Sequence, residues 1–355
     1  MSMAKIKVLM IGAGREVQGG ISAVVNSFYE VKMDEIVKLK YISSMRDGSY
    51  IKKLAVAFLS YIQFLMCISN YDIVHIHMAA HASYTRKRIF VKISKIFGKK
   101  IIIHQHSGEF DNYFNNEISE SKRKDIIKVF GMADRVIVLS KEWADFFGKS
   151  VCNSEKIIIV HNGVAHISKN NKSYMDNNIL VLGRLGKRKG TYDLLKAIPK
   201  ILEIVPKAKF YMGGDGDIAQ CKSIAQQNGI LDNIEFLGWV SGEDKKRYLE
   251  ESSIFILPTY NEGMPMAILD AMSYGLAVIS TNAGGIPQII NSGVNGIRFE
   301  AGDIEAIILN ITKLLMDTNY KRQLGMAGKE TIQSKFNVRE SVEKIVKVYE
   351  ELMGK

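Results

Sequence analysis

Residues 254–285 read IFILPTYNEGMPMAILDAMSYGLAVISTNAGG, and this stretch decides the architecture. An apolar run, Ile254–Leu257, stops at Pro258, and a polar loop, Thr259–Gly263, follows. Pro265 then opens a helix-length segment, and a second apolar run, Ala277–Ser280, comes after it. Proline is tolerated in a first helical turn because its missing N–H would have no partner there. Strand, loop, helix, strand is the repeating unit of a parallel sheet with helices on its faces. A helix start just beyond such a strand is an anion site, since its amides are unpaired and the positive end of its dipole points outward. Gly263 lets the backbone come close to a ligand. Open α/β sheets bind ligands beyond the carboxyl ends of their strands, so the ligand is expected at this turn.

Two carboxylates frame the turn: Glu262 just before the helix, and Asp270 eight residues on. Singly, Glu262 reads as a helix cap and Asp270 as an exposed helix acid. With Gly263, Pro265 and Gly284-Gly285 beside them they read as a pair: a diphosphate takes the helix start, one acid faces a sugar and the other a ribose. A second cluster, LGRLGKRKG at 182–190, brings Arg184 and Lys189 to a strand-to-helix loop. A planar guanidinium fork and a mobile ammonium together suit a diphosphate. Of the four cations there, Lys187 and Arg188 included, at least one is expected to be merely solvated.

Working outward, GAGREVQGGIS at 12–22 has Gly12 and Gly14 but Val17 where a dinucleotide fingerprint needs its third glycine, which disfavours a dinucleotide cofactor. Gly19-Gly20 reads as a loop ahead of a helix, able to approach a ligand. His75 and His77 alternate at one strand end, His104 and His106 at another. No HxxxH or HExxH spacing accompanies them, so no metal is expected. His75, His77 and His81 read as polar residues hydrogen-bonded to loops. His106, in HQHSGEF, is expected to reach a sugar hydroxyl or the transition state. GGDG at 213–216 and FLGWV at 236–240 are strand-ending turns. Trp239 offers its face either to a base or to the core.

The whole chain has 355 residues, 47% apolar and 24% charged, which suits two globular domains. In the first half, strands are expected at Lys7–Ile11, Ile73–Ile76, Lys100–His104, Arg135–Leu139 and Lys156–Val160. A second alternating series follows at Ile179–Leu182, Lys209–Met212, Ile234–Leu237, Ile254–Leu257 and Ala277–Ser280. The polar stretch His166–Asp176 is the expected linker, which divides the chain into domains 1–168 and 169–335. A last helix within 336–355 is expected to pack back on the first domain.

Three scattered cysteines argue for a reducing compartment. The N-terminal MSMAKIKVLMIGAG reads as a first strand, not a signal peptide. LAVAFLSYIQFLMCI at 54–68 is shorter than the ~20 residues of a bilayer span and reads as a buried helix. A cytoplasmic protein is therefore expected. Net charge is +11, and residues 1–168 hold 24 Lys and Arg against 15 Asp and Glu. RKRIFVKISKIFGKK at 86–100 alternates cations with apolar residues, which suits peripheral contact with an anionic membrane. Nucleic acid is not an expected partner, because aromatic residues do not interleave with these cations.

Taken in order, these motifs resemble the retaining GT-B glycosyltransferases with a Glu-x7-Glu motif, family four, over nearly the whole chain. The resemblance rests on Gly19-Gly20, HQHSG, VIVLS at 136–140, VHNGV at 160–164, GRLGKRKG, GGDG, FLGWV, NEGMPMAILDAMSYG and GGIP. It implies two Rossmann-like, doubly wound domains facing a central cleft, a nucleotide-sugar donor, retention at the anomeric carbon and no required metal or cofactor. By position, Arg184 and Lys189 should hold the diphosphate, Glu262 the donor sugar's hydroxyls and Asp270 the ribose. His106 should stand beside the reacting sugar, and the backbone at Gly263 and Met264 should face the donor. Two positions depart from the pattern: the second acid is Asp270 rather than Glu, and Gln288 stands where Glu is frequent. The expected activity is transfer of a hexose-type sugar, from a UDP-sugar before a GDP-sugar, to a lipid-linked glycan in bacterial surface polysaccharide synthesis. The alternatives are a nucleotide-sugar epimerase and a non-catalytic sugar-nucleotide-binding protein.

Overall fold

The structure, a computed structural model, describes residues 5–167 and 172–355. Residues 168–171 of the expected linker, and with them the 168/169 boundary, lie outside the described residues, as does the start of the N-terminal stretch. The chain divides into two compact units, Met1–Ala165 with Val338–Lys355, and His166–Asn337.

The first unit holds six parallel strands: β1 (Lys7–Gly12), β2 (Lys38–Ser43), β3 (Ile73–Met78), β4 (Lys100–Gln105), β5 (Arg135–Val138) and β6 (Ile157–Ile159). Their order is β2-β1-β3-β4-β5-β6. β1, β3 and β4 are apolar because helices cover both faces, which is why they stand out in the sequence. β2, KLKYIS, was not among the expected strands. It is an edge strand with only Ile42 buried, so it lacks the continuous apolar run. The terminal helix Val338–Leu352 belongs to this unit. It buries Val338, Ser341, Val342, Ile345, Val348 and Tyr349, one stripe at helical spacing. Its entry is pinned by Val338 N donating to Val164 O at 3.2 Å and Ser341 Oγ to His161 O at 2.9 Å.

One expectation fails here. The helix containing residues 54–68 runs Tyr50–Cys67, and only Ser60 and Phe64 of its length are fully buried. Apolar composition alone had suggested a core helix.

The second unit holds β7 (Asn178–Leu182), β8 (Lys209–Gly213), β9 (Ile234–Gly238), β10 (Ile254–Leu257), β11 (Ala277–Thr281) and β12 (Ile297–Phe299), ordered β12-β11-β10-β7-β8-β9 and all parallel. β12 is a three-residue edge strand, too short to be legible as a period. Strand order reverses between β7 and β10, so successive crossovers leave to opposite sides and a crevice opens there. Both units are Rossmann-like. Pro265 is the N-cap of the helix Met266–Ser273, one residue earlier than expected.

Candidate functional site

The loops after β7 and β10 flank the switch point of the second unit, and they hold both motif clusters. The turn 183–190 is bound to the loop after β10: Tyr260 N and Thr259 Oγ1 both donate to Arg188 O, at 2.9 and 3.2 Å. Gly190 has φ +68, and a Cβ there would lie 1.9 Å from Pro258 O. From the other side, Cβ atoms at Gly284 and Gly285 would lie 1.8 and 2.0 Å from the carbonyls of Glu262 and Gly263. The glycines therefore let three backbone loops stack, with Thr259–Met264 held in the middle.

GGDG supports the turn from behind. Gly183 N donates to Gly213 O at 2.9 Å and Leu185 N to Asp215 O at 2.7 Å. Gly214, at φ +153, could not carry a Cβ without meeting Gly183 O at 1.8 Å.

Within this frame Lys189 forms an ion pair with Glu262, their side chains only 16% and 10% exposed. Asp270 pairs with Lys245, from the helix Gly242–Glu251. Arg184 is more open: its guanidinium is 3.7 Å from the Asp215 carboxylate and the side chain is 69% exposed. Gly263 and Met264 lead into Pro265 and the first turn of Met266–Ser273, whose amides have no intrahelical acceptor. No side chain caps that helix, so Glu262 is not its cap. The arrangement is two acids, each matched by a lysine, with an exposed arginine and a helix N-terminus beside them. An incoming dianion would meet cations already positioned, and Glu262, released from Lys189, would be free to accept hydrogen bonds from hydroxyls.

The other expected residues are dispersed. Lys187 and Arg188 line an open pocket of about 430 Å³ with Tyr260. Trp239 follows β9 and is 42% exposed, so it is not a core residue. Gln288 lies in the short helix Ile286–Ile289 after β11.

In the first unit, Gly20 opens the helix Gly20–Glu30. A Cβ at Gly19 or Gly20 would meet nothing within 4 Å, so packing does not demand glycine there. His106, after β4, makes a 2.8 Å contact from Nε2 to His77 Nδ1. His75 Nε2 is 3.2 Å from His104 Nδ1, and His75 Nδ1 is 2.6 Å from Tyr349 Oη. His75, expected to be bonded to loops, is bonded instead to His104 and to Tyr349 of the terminal helix, whereas His77 meets His106 in the loop after β4. His77 stacks on His75 and His104 at 4.7 and 5.1 Å, and the His75 and His104 rings are tilted at 5.4 Å. Burial pushes His75 down to about 3, and burial with the charges of Lys87 and His75 does the same to His106. His77 and His104 are also held well below the usual value, chiefly by burial. All four are neutral imidazoles near pH 7.

Ligand atoms of His75, His77 and His104 lie within 4.8 Å of one another. His77 Nε2 and His104 Nε2 are buried with no hydrogen-bond partner among the described residues. His81, expected to be a loop-bonded polar residue, is the first residue of the helix His81–Ile96 at φ +54, a conformation unusual for a non-glycine residue.

Sequence reasoning missed Lys245 and Tyr349. Lys245 sits in GEDKKRYLEE, where nothing separates it from solvated neighbours. Tyr349 lies 274 residues from its partner His75.

Two family models match the chain: glycosyltransferase family 4 over residues 27–166 and glycosyl transferases group 1 over residues 165–331. An amylovoran biosynthesis glycosyltransferase from Erwinia amylovora, AmsK, is 24% identical over 292 residues, 79% of this chain and 70% of that protein. The fold is similar to that of sucrose-phosphate synthase from Thermosynechococcus elongatus, with TM-score 0.82, 17% identity and coverage of 99% and 100% of the two chains. It is also similar to Anabaena Alr3699/HepE in complex with UDP-glucose, with TM-score 0.78, 16% identity and coverage of 98% and 100%.

Proposed function

We propose that this chain, which belongs to the group 1 glycosyltransferases and has the GT-B fold, moves a hexose-type sugar from a nucleotide-sugar donor to a lipid-linked glycan with retention at the anomeric carbon. A UDP-sugar is the favoured donor and a GDP-sugar the second choice. The product belongs to bacterial surface polysaccharide synthesis, a reading supported by the amylovoran relative. UDP as the carrier is supported by the UDP-glucose complex of a protein with the same fold.

One observation carries the reading: the loop 259–264 is clamped at the β7/β10 switch point with Lys189 and Glu262 paired inside it. As the bond between sugar and diphosphate breaks, negative charge grows on the leaving phosphate. Lys189, Arg184 and the helix N-terminus at Gly263 and Met264 would stabilise that charge from fixed positions. Glu262, released from Lys189, would accept from the sugar's hydroxyls. Asp270, held by Lys245, would take the ribose. His106 in the first unit is assigned to the reacting sugar, where a neutral imidazole can donate or accept one hydrogen bond. Gly20 and Trp239 are assigned to the donor as well. No nucleophile is needed if the leaving phosphate and the acceptor share one face of the sugar, and that geometry preserves the anomeric configuration. The charge is carried by protein cations, so activity should survive chelators.

A thermal-shift panel of UDP-, GDP- and ADP-sugars tests the reading. A donor at 100 times its dissociation constant adds about 2.7 kcal/mol, a rise of roughly 5–10 °C. The absence of any shift across the panel would sink the proposal. Donor incubated alone and examined for a new sugar isomer separates a transferase from an epimerase. NMR of the product's anomeric configuration decides retention.

A further inference from the structure

The helix Tyr50–Cys67 uses one face for the fold. Ser60 and Phe64 are buried, and Tyr61 and Phe64 pack on Phe90 with ring centroids 4.7 and 5.0 Å away. Tyr61 Oη donates to Arg86 O at 2.8 Å. The opposite face carries Ile51, Leu54, Phe58, Ile62, Leu65 and Met66, each between 41% and 78% exposed. From Ile51 to Met66 this apolar strip runs about 22 Å. A surface helix ordinarily turns charged residues outward, and one that is apolar on both sides belongs in a core or a membrane.

Charge selects the occupant. Residues 48–108 contain nine Lys and Arg and a single acid, Asp72. Asp72 is engaged by the backbone N–H of Lys7 at 3.3 Å. Lys52 and Lys53 are exposed at one end of the strip. At the other end Lys99 Nζ donates to Ser69 O at 3.1 Å, next to Ile96 and Phe97, which are 82% and 45% exposed. A symmetric contact between two copies would set this basic surface against itself. An anionic lipid surface satisfies both the apolar strip and its cationic ends.

The helix and the turn after it, Tyr50–Asn70, are long and apolar enough to cross a bilayer. Spanning would strip Phe64 and Tyr61 from Phe90, whereas lying in the plane keeps them. The 86–100 segment expected to make this contact is mostly committed elsewhere. Lys87 is buried, and Arg88 and Lys92 pair with Asp125 at 2.7 and 2.9 Å.

We propose that the outer face of Tyr50–Cys67, continued by Ile96 and Phe97, lies in the interfacial layer of an anionic membrane, with Lys52, Lys53 and Lys99 toward the headgroup phosphates. This surface is independent of the donor site and stands or falls separately from the glycosyltransfer reading. Flotation with phosphatidylcholine vesicles, with and without phosphatidylglycerol, tests it. The full chain should float with the anionic vesicles only, and Leu54→Glu with Phe58→Glu should lower partitioning at least about tenfold. Donor-induced thermal shifts should be unchanged in that variant. A Phe58→Trp variant should gain fluorescence that brominated acyl chains quench. No flotation at low salt would overturn the proposal, as would unquenched Phe58→Trp emission. Light scattering that shows a dimer dissolved by Leu54→Glu with Phe58→Glu, without vesicle binding, would give the face to a second copy instead.

Discussion

Replacing Lys189 by methionine should damage activity and stability through two separable effects. The ammonium is 16% exposed and its partner Glu262 10% exposed, so the pair is largely withdrawn from water. Removing one partner of a fully buried pair costs about 3–5 kcal/mol, because the other charge is left uncompensated. Residual exposure of both groups brings the expected figure to about 2 kcal/mol, since water can partly solvate the remaining carboxylate. In a unit the size of His166–Asn337 that lowers Tm by roughly 4–8 °C. Separately, loss of one preorganised donor to the leaving phosphate should cost about 3 kcal/mol, near a hundredfold in kcat/KM. Adding Glu262→Gln to Lys189→Met removes the stranded charge and should restore most of the Tm. It should not restore kcat/KM, because Gln cannot replace a cation. Differential scanning fluorimetry and steady-state kinetics on both single variants and the double variant close the cycle. A kcat/KM within tenfold of wild type for Lys189→Met would refute the phosphate assignment. Recovery of activity in the double variant would show that Lys189 acts only by neutralising Glu262.

Arg184→Ala should behave differently: its ion pair with Asp215 is loose, at 3.7 Å, so Tm should hold while kcat/KM falls more than tenfold. Lys245→Met should raise the donor KM several-fold with little change in kcat, because Asp270 then loses the partner that orients it; an unchanged KM argues against a ribose role for Asp270. Gly284→Ala forces a Cβ into the carbonyl of Glu262 at φ +52, and chemical denaturation should show a loss of at least about 2 kcal/mol. The histidine group makes stability pH-dependent. Each ring is neutral in the folded chain down to about pH 3 for His75 and His106, but titrates at its ordinary value when unfolded. Between those values the unfolded state binds more protons, so stability falls as pH drops below about 6.5, by up to ~1.4 kcal/mol per pH unit for each ring. Replacing His75 by Leu should flatten the pH dependence of Tm, and an unaltered slope would mean that His75 is not one of the titrating groups.

The architecture was legible because its cause is local. Strands buried on both faces must be continuously apolar, so β1, β3, β4, β7, β10 and β11 announce themselves. The edge strands β2 and β12 do not, since solvent relaxes the demand on every other side chain. Glu262, Lys189 and Gly263 were legible because close approach of backbone and charge needs particular residue types in a short span.

What the amino-acid order determined was the repeated strand-helix unit, the division into halves and the residue types of the two loops to which the donor is assigned. Tertiary structure decided the partners. Lys245 reaches Asp270 and Tyr349 reaches His75 only because separate helices fold onto the sheets that carry them. It also decided that Tyr50–Cys67 is left uncovered: hydrophobicity records a side chain's aversion to water, not which neighbour removes it.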